Sequence, residues 1–181
     1  MARTITEYRR IVRMLATVLM VHWPEIQAAK NRCNFIESLF HFTAKRPHVR
    51  YPVLDRALGK MPSYLRRAAI EAACGVVSSF LSNWDNFLAG EIGGKPRDLG
   101  CRPPRMGFSN VYPPLYGGKM IEYGVGLRTV RIKLLRADGT WAFSRSLAVK
   151  GRFKRLQPLA GKMDMCPTLV LKGARRSLCA R

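Results

Sequence analysis

KMPSYLRRAAIEAACGVVSSFLSNWDNFLAG, residues 60–90, reads as one long amphipathic helix. Leu65, Ala69, Ala72, Val76, Phe80, Trp84 and Phe87 recur every three or four positions, with Ala73, Val77, Leu81 and Leu88 beside them. That spacing keeps one broad apolar stripe on one side of a helix. Pro62 suits a first-turn position and Gly90 a C-terminal stop, which places the helix at about 62–89. Lys60, Arg66 and Arg67 crowd the N-terminal end, where the helix dipole favours anions, and a bound phosphate backbone would relieve that conflict. Tyr64 sits among them, and Ser78, Ser79, Ser82 and Asn83 supply polar groups on the less apolar side. This polar side reads equally as a surface facing a DNA groove and as a solvated helix face.

Toward the N-terminus, Ile26, Ala29, Cys33, Ile36 and Phe40 predict a second helix that follows Pro24 and stops before Pro47. The first residues are ambiguous. Ile5, Tyr8, Val12, Leu15 and Leu19 suit a helix, and the β-branched content of TITEYRRIV suits a strand almost as well. KRPHVRYPVLDRALGKMP turns repeatedly at its prolines, with VLDRALG as a short helical turn.

Composition changes at Gly90. EIGGKPRDLGCRPPRMGFSNVYPPLYGGK is rich in Gly and Pro without periodicity and reads as a linker. MIEYGVGL, TVRIKLLR, TWAFSRSLAV, GRFKRLQPL and TLVLKG then read as short strands, with Ala137, Asp138 and Gly139 as a hairpin turn. Val130, Ile132 and Leu134 alternate with Arg131, Lys133 and Leu135, and Trp141 and Phe143 alternate with Ala142 and Ser144, giving one apolar face and one basic face. About five such strands suggest a small antiparallel barrel, a frame that often carries nucleic acid. The fold class is α+β, a small helical bundle joined to an antiparallel β-barrel. Its parts are residues 1–22, 23–90 (the bundle), 91–118 (the linker), 119–173 (the barrel) and a disordered tail at 174–181.

The charge is strongly and unevenly positive. The chain has 181 residues and a formal charge of +21, and residues 101–181 hold 17 of its 32 Lys and Arg but 3 of its 11 acids. So much like charge repels itself unless a polyanion neutralises it, and nucleic acid is the commonest such partner. Arg128, Arg131, Lys133 and Arg136 form one basic row, and Lys150, Arg152, Lys154 and Arg155 another, suited to tracking a phosphate backbone. Trp141, Tyr123 and Phe153 are candidates for stacking on bases, although Trp141 reads first as a core residue.

Other chemistry finds little footing. Asp55, Asp85, Asp98, Asp138 and Asp164 stand in unlike contexts rather than as a converging metal site. Asp98 to Gly100 and the GGK at 117–119 read as turns. The five cysteines are scattered without a CxxC pair or a histidine at ligand spacing, which argues against zinc and for a reducing cytoplasm. Cys33 and Cys74 read as small core residues. The longest apolar run, residues 14–21, is far below the ~20 residues a bilayer span needs.

In order, SYLRRAAIEAACGVVSSFLSNW, PPLYGG, TVRIKLLRADGTWAFSRSLAV and CPTLVLKG resemble the N-terminal half of TnpB-type transposon proteins. These are RNA-guided DNA nucleases of bacterial insertion sequences, related to type V CRISPR effectors, and the match covers roughly residues 24–173. The resemblance implies a helical recognition lobe inserted into a wedge-like barrel that an N-terminal strand completes, which favours the strand for residues 4–12. It implies guide RNA and target DNA as partners, with no membrane and no small-molecule substrate, in the bacterial cytoplasm near the nucleoid. The family's ribonuclease-H-like domain and its zinc finger follow later, so Mg²⁺ and Zn²⁺ are expected only for that missing part and no catalytic residue is expected here. CPTLVLKG is followed only by ARRSLCAR, so the chain reads as a truncated copy or a fragment. The alternatives are a self-contained metal-dependent nuclease and a non-functional relic.

Overall fold

A computed structural model describes residues 1–59, 61–92, 95–96, 100–125, 128–149, 168–172 and 175–179, the backbone alone at 95–96 and beyond 149. The chain is α+β. Its elements are α1 (Ala2–Val21), α2 (Trp23–Ala28), α3 (Arg32–Phe40), α4 (Pro52–Leu58), α5 (Ser63–Leu88), β1 (Glu91–Ile92), β2 (Lys95–Pro96), β3 (Ile121–Tyr123), β4 (Thr129–Leu135), β5 (Trp141–Phe143), β6 (Leu147–Ala148), β7 (Thr168–Lys172) and β8 (Arg175–Cys179). They fall into two compact units. One gathers Arg9–Gly59 and Arg66–Val111, and the other Met1–Tyr8, Lys60–Leu65 and Tyr112–Arg181.

The N-terminus is a helix, against the strand that the resemblance favours. Thr4 and Ile5, Ile11 and Val12, and Leu15 and Ala16 are buried as adjacent pairs one or two turns apart. A strand sends neighbours to opposite faces, so only the helical period buries those pairs together. The helix expected after Pro24 is split into α2 and α3. Asn31 caps α3, its Oδ1 accepting from Asn34 N at 3.0 Å, and Ala29 is extended before it. Asparagine bonds local backbone donors in this way and so starts helices better than it continues them.

In the helical unit Leu15, Leu19, Ile26, Ile36, Phe40, Ile70 and Val77 are fully buried. Two histidines fasten its short helices. The His22 ring lies 2.8 Å from Tyr51 Oη and 3.2 Å from Glu25 Oε2, and His41 Nδ1 lies 2.9 Å from Asp55 Oδ1. The linker is partly anchored here: Arg9 donates to the Val111 carbonyl at 2.9 Å and to the Ser109 carbonyl, and Arg13 lies over the Phe108 ring.

The second unit centres on β4, which pairs antiparallel with β3 on one side and with β5 and β6 on the other. Gly139, with φ at 81°, turns β4 into β5, and Asp138 Oδ1 accepts from the Thr140 amide and hydroxyl. Those donors hold the Asp138 carboxyl below the usual carboxylate range. Val130 and Ile132 face a core shared with Ile5, Tyr8, Leu65, Leu115, Met120 and Ile121. Burial pushes the Tyr8 phenol up. Thr4, on α1, accepts from the Leu135 amide at 3.1 Å, so a helical turn rather than a strand attaches the N-terminus to the sheet. Thr4→Val keeps the shape but removes that acceptor, and chemical denaturation is expected to show a loss of about 1–3 kcal/mol.

Among the described residues this sheet has four strands and does not close into a barrel. The strand expected at 151–159 lies outside them. The expected disordered tail instead holds β8, which pairs with β7 from Thr168↔Cys179 to Lys172↔Arg175 as a separate hairpin. No helix among the described residues is long and apolar enough to cross a membrane.

Candidate nucleic-acid interface

The outward face of the sheet follows from strand register. Residues opposite one another on antiparallel strands share a face. Arg131 lies opposite Glu122, Lys133 opposite Phe143, and Leu135 opposite Trp141. Val130 and Ile132 point the other way into the core. The solvent side therefore carries two cations, two aromatic rings, one carboxylate and the Leu135 side chain.

Their contacts are close. The Arg131 guanidinium and the Lys133 ammonium lie 5.3 Å and 5.0 Å from the Phe143 ring centre, within cation–π range. Arg131 also donates to Glu122 Oε2 at 3.1 Å, an exposed pair worth ~0–1 kcal/mol. Lys133 donates to the Tyr64 hydroxyl at 3.3 Å, which donates to the Lys119 carbonyl at 3.0 Å. The Lys119 ammonium lies 5.7 Å from the Tyr64 ring centre, and Tyr116 meets that ring edge-on at 5.9 Å. Three lysine and arginine heads thus rest on two aromatic rings, with Glu122 the acid in contact. Such an arrangement offers cations to phosphates and ring faces to unpaired bases.

The sequence candidates separate on this structure. Arg131 and Lys133 share the face, whereas Arg128 and Arg136 flank β4 outside its alternation, Arg128 and Arg136 both exposed. The basic row of four is thus two facing residues and two at the ends. Tyr64 joins the sheet residues, in a different unit from Arg66 and Arg67. Arg66 donates to Glu37 Oε1 at 3.2 Å with the two side chains 13% and 10% exposed, and Arg67 reaches Glu37 Oε2 at 3.6 Å. Arg66 therefore belongs to the packing of α5 on α3. Asn83 is exposed on α5. Lys60, Lys150, Arg152, Lys154, Arg155, Asp98 and Phe153 lie outside the described residues.

Phe143 and Lys119 were not among the sequence candidates. Trp141 is half-buried on the basic face instead of in the core, and Phe143 lies on that face with it. The alternation of β5 was legible, but its phase against β4 was not. Lys119 lay in a GGK that matches no phosphate loop, and its contact with Tyr64 joins residues far apart in sequence.

Other side chains offer less. Cys33 and Cys74 are half-buried rather than core residues. Burial, with Glu71 nearby, pushes the Cys74 thiol up to about 11, and burial also raises Cys33. Neither is an activated thiolate at neutral pH. Among the described residues no three His, Cys, Asp or Glu side chains converge as a metal site.

No curated protein matches the chain, and no solved structure does. One family model does match, that of the Aq_aa04 family, over residues 1–136. The match runs from α1 through β4 and so includes Tyr64, Lys119, Arg131 and Lys133. With well over half of its length matched, the chain belongs to the Aq_aa04 family.

Proposed function

We propose that this chain binds nucleic acid as the N-terminal part of a TnpB-like, RNA-guided DNA endonuclease in the bacterial cytoplasm, holding guide RNA and target DNA. In this reading the cutting belongs to a separate catalytic nuclease domain and the described residues only hold the nucleic acid. The observation that carries the reading is the outer face of β4 and β5, where Arg131, Lys133, Phe143 and Tyr64 lie together on a chain of +21. Arg131 and Lys133 would meet successive phosphates, and Phe143 and Trp141 would stack on unpaired bases. Glu122, the carboxylate bonded to Arg131, would disfavour close phosphate approach at one edge and set where the strand lies. In this reading the open sheet is part of a wedge-like barrel, and the helical unit serves as a recognition lobe.

Backbone contacts position a nucleic acid and carry little sequence information, so modest base preference is expected. The test is a titration of structured RNA and of duplex DNA against salt by filter binding. Each phosphate contact releases counterions, and log affinity is expected to fall with log salt with a slope of about −0.9 per contact. An affinity independent of salt would reject the proposal.

A further inference from the structure

The segment between α3 and α4, FTAKRPHVRY at 42–51, is a loop fastened at its base and at its tip. At the base the Tyr51 amide donates to the Leu39 carbonyl at 3.0 Å, and the Tyr51 hydroxyl lies 2.8 Å from the buried His22 ring. His41 Nδ1, just before the loop, lies 2.9 Å from Asp55 Oδ1, just after it. At the tip Thr43 and Arg46 exchange backbone hydrogen bonds of 3.2 Å and 2.8 Å around Ala44 and Lys45. Pro47 and Pro52 fix φ on the way back. A surface loop whose ends are close and whose turn is hydrogen-bonded is a compact element rather than a loose connection.

This element presents cations without counter-charges. Residues 42–54 hold Lys45, Arg46 and Arg50 and no Asp or Glu, and Arg56 follows on α4. All four are exposed, and among the described residues none of their side chains has a hydrogen bond, ion pair or ring contact. Asp55, beside Arg56, is engaged by His41. Other cations of the helical unit are used inside it: Arg9 on the Ser109 and Val111 carbonyls, Arg13 on the Phe108 ring, Arg66 and Arg67 on Glu37. Those cations hold the fold, whereas the loop cations repel one another, a cost that a bound polyanion removes.

We infer that this loop, with Arg56, is a second phosphate-binding surface and takes the backbone of a nucleic-acid duplex. The inference rests on the reading that the chain binds nucleic acid, and it gives the helical unit a contact of its own. The sheet face sets its cations on rings and so suits an unpaired strand. The loop cations rest on no ring, so they need phosphates alone, and a duplex offers these in two continuous rows. Because the loop is fixed before a ligand arrives, little freedom is lost on binding.

The test is filter binding of the full chain to a blunt-ended DNA duplex, which has no unpaired bases, over a range of salt. Lys45→Ala, Arg46→Ala and Arg50→Ala combined are expected to weaken binding by at least ~100-fold at about 0.1 M salt and to lower the salt slope by about 2.7. Lys45→Arg, Arg46→Lys and Arg50→Lys combined keep the charge and should keep the slope. Lys30→Ala, Arg102→Ala and Arg105→Ala combined remove equal charge from exposed positions elsewhere in the same unit and should cost far less. Thermal melts should be nearly unchanged in all three, since the altered side chains hold nothing within the fold. A salt-independent affinity of the unaltered chain would reject nucleic-acid binding as a whole. Salt-dependent binding by the unaltered chain with an unchanged slope in the loop variant, or an equal loss in the Lys30, Arg102 and Arg105 variant, overturns this inference alone.

Discussion

Replacing Arg131 and Lys133 together by alanine is expected to weaken binding of a structured RNA by roughly 50-fold at about 0.1 M salt and to reduce the salt slope by about 2. The figure follows from two lost phosphate contacts, each adding nearly one power of salt concentration to the affinity. Arg131 is exposed and β4 keeps its inward residues, Val130 and Ile132, so the fold should survive the double change. Filter binding over a range of salt measures both quantities, and thermal melting checks the fold. Phe143→Ala separates the two roles of the face. It should weaken single strands by ~1–3 kcal/mol per stacked base and leave duplexes nearly unchanged, since paired bases offer no free ring face. Equal losses for duplex and single strand would remove stacking from the account, and no loss in the double variant would remove the face itself.

Glu37→Ala is expected to destabilise the protein by about 3 kcal/mol, the lower end for breaking a buried ion pair. Glu37 on α3 accepts from Arg66 on α5, both side chains being nearly out of water. Removing the carboxylate leaves a desolvated guanidinium without its anion. For a chain of this size that corresponds to a drop of roughly 6–12 °C in melting temperature. Glu37→Gln keeps an acceptor for Arg66 Nε and should lose less. Arg67→Ala should change stability by under ~1 kcal/mol, because that side chain is 59% exposed and its contact is long. The same pair bears on the basic start of α5. With Arg66 engaged by Glu37, Arg66→Ala is expected to lower the melting temperature more than it lowers nucleic-acid affinity. The opposite ranking would place Arg66 in the binding site.

The helices were the most legible part of the chain. The stripe from Leu65 to Leu88 placed α5 within one or two residues, because its ends carry Pro62 and Gly90 and its period is local. The N-terminus was not settled that way. Its β-branched residues suit either structure, and the burial of Ile11 beside Val12 decides for the helix. The break between α2 and α3 was written at Asn31, as a capping residue inside an apolar pattern, but the pattern alone ran through it.

Local pattern is enough to specify a positive chain with a helical part followed by short strands, and an alternation on β4 that puts Arg131 and Lys133 away from the core. These properties depend on neighbours a few residues apart, where the geometry of one helix or one strand suffices. That Phe143 and Trp141 share the basic face, that Tyr64 joins it, and that Arg66 belongs to Glu37 emerges from the folded chain. Those facts depend on strand register and on contacts between distant segments. A shift of one residue in pairing sends every side chain of a strand to the opposite face, and no local pattern specifies that choice.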